Sequence, residues 1–428
     1  MTLLIINGTV VDPASGMMSE KSIYIEDGMI TEIADKIAEK KAKKADQVID
    51  AKSRYVMPGF IDLHVHLRDP GYEYKETVDS GAKAAAKGGF TTIVAMPNTK
   101  PVADKPEVIS YVHCKAANLA PIRVLQAGAV TKKQAGKELA DIEEMVKAGS
   151  PAISEDGKSV MDSGLYEEAM KIAARLDIPV LAHCEDSNLV KGGVMNRGEK
   201  AKELGLPGIS NAVEDIIIAR DILLAKETGA RLHLCHCSTR DSVEMVRAAK
   251  KKGQIVTAEV CPHHFTLSTE EIPGDVANYK MNPPLRAKED VAALIAGLQD
   301  GTMDIIATDH APHSRTEKTG SMKGAAFGIV GLETAAALTY TELVDKKMLT
   351  MLQMAEKMSY NPARVLGLDA GQIAVGKPAE LVIFDTRREY VIDASQFVSK
   401  GKNTPFDGRK VKGEVVTTIF GGKVVYQK

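Results

Sequence analysis

Apolar and polar positions alternate in short runs through the first 55 residues. Residues 3–7, 9–12, 22–26, 30–33 and 48–50 are rich in β-formers, and Asn-Gly and Asp-Gly pairs punctuate them. That is the pattern of strands joined by tight turns. The last 55 residues repeat it at 380–385, 391–392 and 415–426, with Gly421-Gly422 as a hairpin turn. Both ends therefore read as one small β-domain, with the middle of the chain inserted between them.

The middle follows a different rhythm. Apolar strand runs at 60–66, 91–96, 123–128, 152–154, 179–183, 231–236, 255–259 and 304–308 alternate with segments of helical period. The helical runs include 77–87, 164–176, 213–227, 242–252 and 289–298. Eight strands with intervening helices over about 250 residues match a (β/α)₈ barrel closed by right-handed crossovers. A single core rarely grows past about 250–300 residues, so 428 residues call for a second unit. The expected fold is α/β: a TIM barrel at 57–368, with a small β-sandwich built from 1–56 and 369–428.

Chemistry in such barrels sits at the C-terminal ends of the strands. His64 and His66 close the first strand, His183 the fifth and His236 the sixth, and Asp309 and His310 follow the eighth. Ligand-type residues ending several apolar strands face one mouth. Side chains two apart on a strand point the same way, so His64 and His66 can reach one metal. A lone His-x-His is a weak signal; the joint pattern is strong. Neutral imidazoles with carboxylates suit Zn²⁺.

Four histidines and Asp309 exceed what one catalytic zinc with an open position takes. Two ions per chain are expected, and two ions need an anionic bridge. The fourth strand ends Ile153-Ser154-Glu155-Asp156-Gly157. Asp156 is the best-placed bridge and Glu155 its rival, since adjacent residues face opposite ways; an ordinary acidic turn is the plainer alternative. By strand parity His233 reads as a barrel-shell residue. His113, in a helix beside Cys114, reads as structural, His263-His264 as loop-ordering, and His310 as a support for Asp309.

Composition narrows the partners. Lys plus Arg number 55 against 57 Asp plus Glu, a net charge of −2, so the molecule offers no basic field for nucleic acid or anionic lipid. Aromatics are 4% with no Trp, which argues against a base-stacking platform. The lysine-rich 36–44 stretch reads as a solvated face. Five Cys without paired spacing make no disulfide framework. Cys184, Cys235, Cys237 and Cys261 lie in or beside apolar runs and read as buried small hydrophobes, and reduced thiols fit the cytoplasm. The N-terminus lacks the basic leader of a signal peptide, and no run of about 18 apolar residues spans a membrane.

The stretch Asp62-Leu63-His64-Val65-His66-Leu67-Arg68-Asp69-Pro70-Gly71 resembles the signature of dihydroorotases within the amidohydrolase superfamily. Met96-Pro97-Asn98-Thr99, Asn282-Pro283-Pro284-Leu285-Arg286 and Ala307-Thr308-Asp309-His310-Ala311-Pro312-His313 resemble that family's second-, seventh- and eighth-strand motifs. Gly371-Gln372-Ile373 through Ala379-Glu380-Leu381-Val382 is similar to the return to the β-domain, so the match runs from end to end. The first and seventh-strand motifs are the most specific. The resemblance implies reversible hydrolysis of dihydroorotate to N-carbamoyl-L-aspartate by a metal-bound hydroxide, in pyrimidine biosynthesis. Asp309 would be both ligand and proton shuttle. Arg68 offers a planar fork for the substrate carboxylate. Asn98 and His313 would also recognise substrate, Asn282 the ring, and the backbone near Phe327 and Gly328 the ring edge.

One departure matters. Hydantoinases, allantoinases and the shorter dihydroorotases bridge their metals with a carboxylated lysine. Here Asp156 stands where the longer bacterial type carries aspartate, and Lys158 lies two residues beyond. Two other readings stay open: a different cyclic amidase, disfavoured by Arg68 and Asn282-Pro283-Pro284, and a non-catalytic scaffold for aspartate transcarbamoylase, which would have lost ligands that are all present. Family members are often homodimers, and some bind that transcarbamoylase.

Overall fold

Phe60–Val65 is buried at every position, as a strand covered on both faces must be. In the computed structural model, which describes all 428 residues, it opens a closed ring of parallel strands. Phe60–Val65 pairs with Phe90–Ala95, and that strand with Arg123–Gln126, which resumes as Gly128–Ala129. The ring continues through Ile153–Ser154, Pro179–Ala182, Arg231–Leu234, Val256–Val260 and Ile305–Ile306. Val65 bridges His310 in parallel, and the His66 amide donates to the His310 carbonyl at 2.8 Å, which closes the barrel. These are the eight strands read from the apolar runs.

The helices form where caps and periodicity coincide. Asp162 accepts from the Gly164 and Leu165 amides at the start of Ser163–Arg175, which buries Tyr166, Ala169, Met170 and Ala173 on one stripe. Thr77 and Thr239 cap Val78–Lys87 and Arg240–Lys251 in the same way. Inside the ring, Ile61, Leu63, Val94, Leu181, Cys235 and Ile305 pack together.

The termini form one hydrogen-bonded sheet in the order Lys423–Gln427, Lys410–Phe420, Leu381–Val391, Tyr55–Pro58, Thr2–Asp12, Met17–Glu26, Met29–Ala34. Gln47–Asp50 adds to Thr2–Asp12 in parallel. The sheet curls until its ends meet: Gly28 and Gly422 approach so closely that a Cβ on Gly422 would lie 2.9 Å from the Gly28 Cα. Its enclosed core includes Leu3, Ile5, Ile25, Ile30, Ile383 and Ile419, drawn from both ends of the chain. The sandwich expected from the termini is thus a single sheet folded onto itself. No helix is long and apolar enough to cross a membrane.

Candidate active site

Simple alternation would have spoiled the first strand. Ile61 and Leu63 face the barrel interior, so strict parity would send His64 outward. The register shifts between Asp62 and Val65, leaving Leu63 and His64 opposite Val94 alone. This bulge re-aims His64 into the mouth and keeps His66 with it. The interruption is anchored by Asp62, whose carboxylate accepts from the His64 amide at 3.0 Å and from Thr308 Oγ1 at 2.6 Å.

The sixth strand uses a different device. His236 has φ of +35°, and Asp309, after the eighth strand, has φ of +48°; Arg68 sits at +60°. Non-glycine residues pay conformational free energy there, and such positions gather at functional sites. The turn at His236 breaks the strand's alternation. His233 is not a shell residue, contrary to the parity reading. It is fully buried, 2.9 Å from Glu259 Oε2 through Nε2 and 2.8 Å from Thr257 Oγ1 through Nδ1.

Four histidines converge on Asp156. Its Oδ1 lies 3.0 Å from His64 Nε2, 3.4 Å from His183 Nδ1 and 3.8 Å from His236 Nε2, and its Oδ2 lies 3.5 Å from His66 Nε2. Asp309 Oδ1 is 3.1 Å from His66 Nε2 and 3.7 Å from His64 Nε2. Glu155, the rival, turns away: it accepts from the Val130 and Thr131 amides at 3.1 and 3.0 Å and from the Thr131 hydroxyl. Lys158 donates to the Gln134 carbonyl at 3.0 Å and takes no part.

Outward hydrogen bonds orient the rings. His64 Nδ1 donates to Glu259 Oε1 at 3.2 Å, His66 Nδ1 to Asn98 Oδ1 at 2.9 Å, and His183 Nε2 to Glu185 Oε2 at 3.2 Å. The opposite nitrogens thus face the two aspartates. Burial alone would lower His64 and His183. Asp156 outweighs it at His64, and Asp156 with Glu185 lifts His183 to about 10. Burial and Arg68 lower His66. Burial would raise Asp156, yet the surrounding histidines hold it well below the usual carboxylate range.

The donor set fits a cation. His64 Nε2 and Asp156 Oδ1 are buried and make no hydrogen bond, although they face each other. Two overlapping groups, His64/Asp156/His236 and His64/His66/Asp309, each bring three donor atoms within 4.8 Å of one another.

A cavity of about 280 Å³ opens above this cluster. Of the twelve residues expected at the site, all but His64 line it; His64 is buried beneath. Arg68 Nε donates to the Pro312 carbonyl at 3.3 Å, and its guanidinium lies 3.5 Å from His313 Nε2. His313 donates to the Phe327 carbonyl at 2.7 Å, and burial, Arg68 and Lys75 push its pKa down to about 3, so the ring is neutral. Asn98 is engaged at both ends of its amide, by His66 and, at 3.2 Å, by Asp156 Oδ2. The Gly328 amide donates to the Lys280 carbonyl and the Gly328 carbonyl accepts from Asn403, so Gly328 presents backbone surface rather than a free polar group. Asn282 donates to Glu185.

Glu259 and Glu185 were missed in the sequence. A carboxylate ending the buried strand Val256–Val260, and another two residues after His183, were the available signals. His310 supports Asp309's segment as expected, donating to Glu76 Oε2 at 3.3 Å and accepting from the Gly331 amide at 3.2 Å. His264 donates to the Pro283 carbonyl at 3.0 Å and so orders the seventh-strand loop.

Residues 53–242 match the family described as Dihydro-orotase-like, and 280–426 match the Amidohydrolase family. The chain is 49% identical to a dihydroorotase of Geobacillus sp. (strain WCH70), over 100% of this chain and 99% of that protein. A dihydroorotase of Pelotomaculum thermopropionicum is also 49% identical at the same coverage. Among solved structures, L-hydantoinase from Arthrobacter aurescens superposes with a TM-score of 0.87 at 27% identity, covering 100% of this chain and 96% of that one. D-hydantoinase from Thermus sp. gives 0.85 at 28%, covering 99% and 95%. The shared barrel explains the likeness to hydantoinases; the much higher identity to dihydroorotases, sustained over the full length, decides between them. With its barrel, its convergent histidines and aspartates and this full-length identity, the chain belongs to the dihydroorotase family of amidohydrolases.

Proposed function

We propose that this dihydroorotase interconverts dihydroorotate and N-carbamoyl-L-aspartate with two zinc ions held by His64, His66, Asp156, His183, His236 and Asp309. The observation that carries the reading is the convergence of four imidazoles on Asp156, a carboxylate where a modified lysine would otherwise be needed. Bound there, zinc supplies Lewis acidity, lowering the pKa of water and polarising the amide carbonyl. Glu259, Asn98 and Glu185 hold the histidine rings in the tautomers that ligation needs. Arg68 and the neutral His313 bind the substrate carboxylate at the rim, and Asn282 hydrogen-bonds the ring. Asp309 accepts the proton of the attacking water and returns it to the departing ring nitrogen. Ring closure uses the same residues in reverse.

The domain division at residues 56 and 368 belongs to the same proposal; the terminal sheet supports a division near these points, its strand Tyr55–Pro58 running two residues past the first. A cytoplasmic location belongs to it too, supported by five cysteines that are all free. The decisive assay sets zinc-loaded protein against dihydroorotate, hydantoin and allantoin. Turnover of dihydroorotate far above the other two is expected. Preference for hydantoin would overturn the substrate reading.

A further inference from the structure

One carboxylate oxygen serves two parts of the site. Glu185 Oε2 accepts from His183 Nε2 at 3.2 Å and also from the side-chain amide of Asn282, 97 residues further along the chain. His183 follows the fifth strand; Asn282 lies in the loop after the seventh. The Glu185 backbone is itself fixed, its amide donating to Ser159 Oγ at 3.0 Å while that hydroxyl donates to the His183 carbonyl at 2.7 Å. Its side chain is only 17% exposed and lines the cavity.

We propose that Glu185 is a positioning residue that couples the cation-binding His183 to the substrate-binding Asn282. The proposal rests on the metal and substrate roles given above. A carboxylate accepts only. Facing His183, it requires the proton on Nε2, so Nδ1 is the nitrogen left facing Asp156 Oδ1, 3.4 Å away, and His236 Nε2, 2.9 Å away. Facing Asn282, it requires the amide nitrogen, so Oδ1 turns the other way. Dihydroorotate and N-carbamoyl-L-aspartate both offer N–H groups to that oxygen. A shift of Asn282 on binding substrate therefore pulls on the anion that orients His183, and a cation on His183 fixes the anion that orients Asn282.

The test uses Glu185→Ala, Glu185→Gln, Asn282→Ala and the double variant Glu185→Ala/Asn282→Ala. Zinc affinity is measured by competition with a chromophoric chelator, and kcat and KM at saturating zinc. Binding of N-carbamoyl-L-aspartate to metal-free protein is measured by calorimetry. Glu185→Ala is expected to weaken zinc binding by about 10–100-fold, the usual effect of losing a ligand's hydrogen-bond partner. It should also raise KM and weaken product binding to the metal-free protein. Glu185→Gln, whose amide oxygen still accepts, should recover much of both. In the Asn282→Ala background, Glu185→Ala should add little further to KM, the non-additivity of a shared contact. Zinc affinity within twofold of wild type in Glu185→Ala, or fully additive KM effects, overturns the coupling. A wild type that takes up no zinc overturns the metal reading, and the proposal with it.

Discussion

His64 Nε2 and Asp156 Oδ1 face each other at 3.0 Å in the floor of the mouth, both buried and neither hydrogen-bonded. A lone pair held against a carboxylate oxygen is repulsive unless a proton or a cation lies between them. The surrounding hydrogen bonds nonetheless hold both groups in place, through Glu259 on one side and Asn98 on the other.

Zinc should therefore stabilise the fold as well as activate it. Chelation is expected to lower the melting temperature and zinc to restore it, because a ligand bound only by the folded state adds its binding free energy to stability. Metal analysis should give about two ions per chain at saturation. Asp156→Ala should lose an ion and most turnover. One ion with full activity would remove the binuclear reading.

Asp309→Asn should keep the fold and part of the metal but lose turnover, because an amide cannot carry the proton. Single-turnover rates in the zinc-loaded variant check this. Near-normal rates would exclude Asp309 as the acid and base.

Arg68→Met should weaken dihydroorotate turnover by at least one to two orders of magnitude. A charge-assisted pair is worth roughly 1.5–3 kcal/mol, and each 1.4 kcal/mol is about tenfold. Zinc content should not change, and a cyclic amide without a carboxylate should lose little. An equal loss for both substrates would make Arg68 structural.

Lys318 predicts a pH effect on stability. Its Nζ donates to the Lys280 and Ala326 carbonyls at 2.8 and 3.0 Å, and burial, then Lys280, pushes its pKa down to about 7. The unfolded chain keeps that proton up to about pH 10. Between those values the unfolded state binds more protons, so this lysine's contribution to stability grows as pH rises, and it is flat below about 7. The melting temperature of wild type minus that of Lys318→Met should increase from pH 7 to pH 9. A difference that shrinks over that range contradicts a buried ammonium.

Gly328→Ala should damage substrate binding with the metal site intact. Gly328 has φ of +123°, and an added Cβ would meet Ala311 Cβ at 2.6 Å and His313 Nε2 at 3.3 Å. The strain costs about 1–3 kcal/mol and pushes on His313. KM is expected to rise more than kcat falls, at unchanged zinc content. An unaltered KM would show that the wall yields without moving His313.

Alternating apolar strands and helical stripes were enough to identify the barrel, because periodicity reports which residues share a face. It also identified the strand ends where His64, His66, His183, His236 and Asp309 collect. The spacing of His64 and His66 pairs them, and Asp156 reads as the best-placed bridge with Glu155 as its rival. Which face those pairs present was decided by contacts between distant segments. The bulge at Leu63 and His64 is flanked by Asp62, which is held by Thr308, 246 residues away. The left-handed turn at His236 breaks the strand's alternation, so His236 joins the inner side where His233 already meets Glu259. Glu155 is spent on the Val130–Thr131 turn, so only Asp156 remains for the histidines. Backbone turns of this kind and carboxylates shared between strands leave no period in the chain; they form only when the ring closes and each buried charge must find its partner.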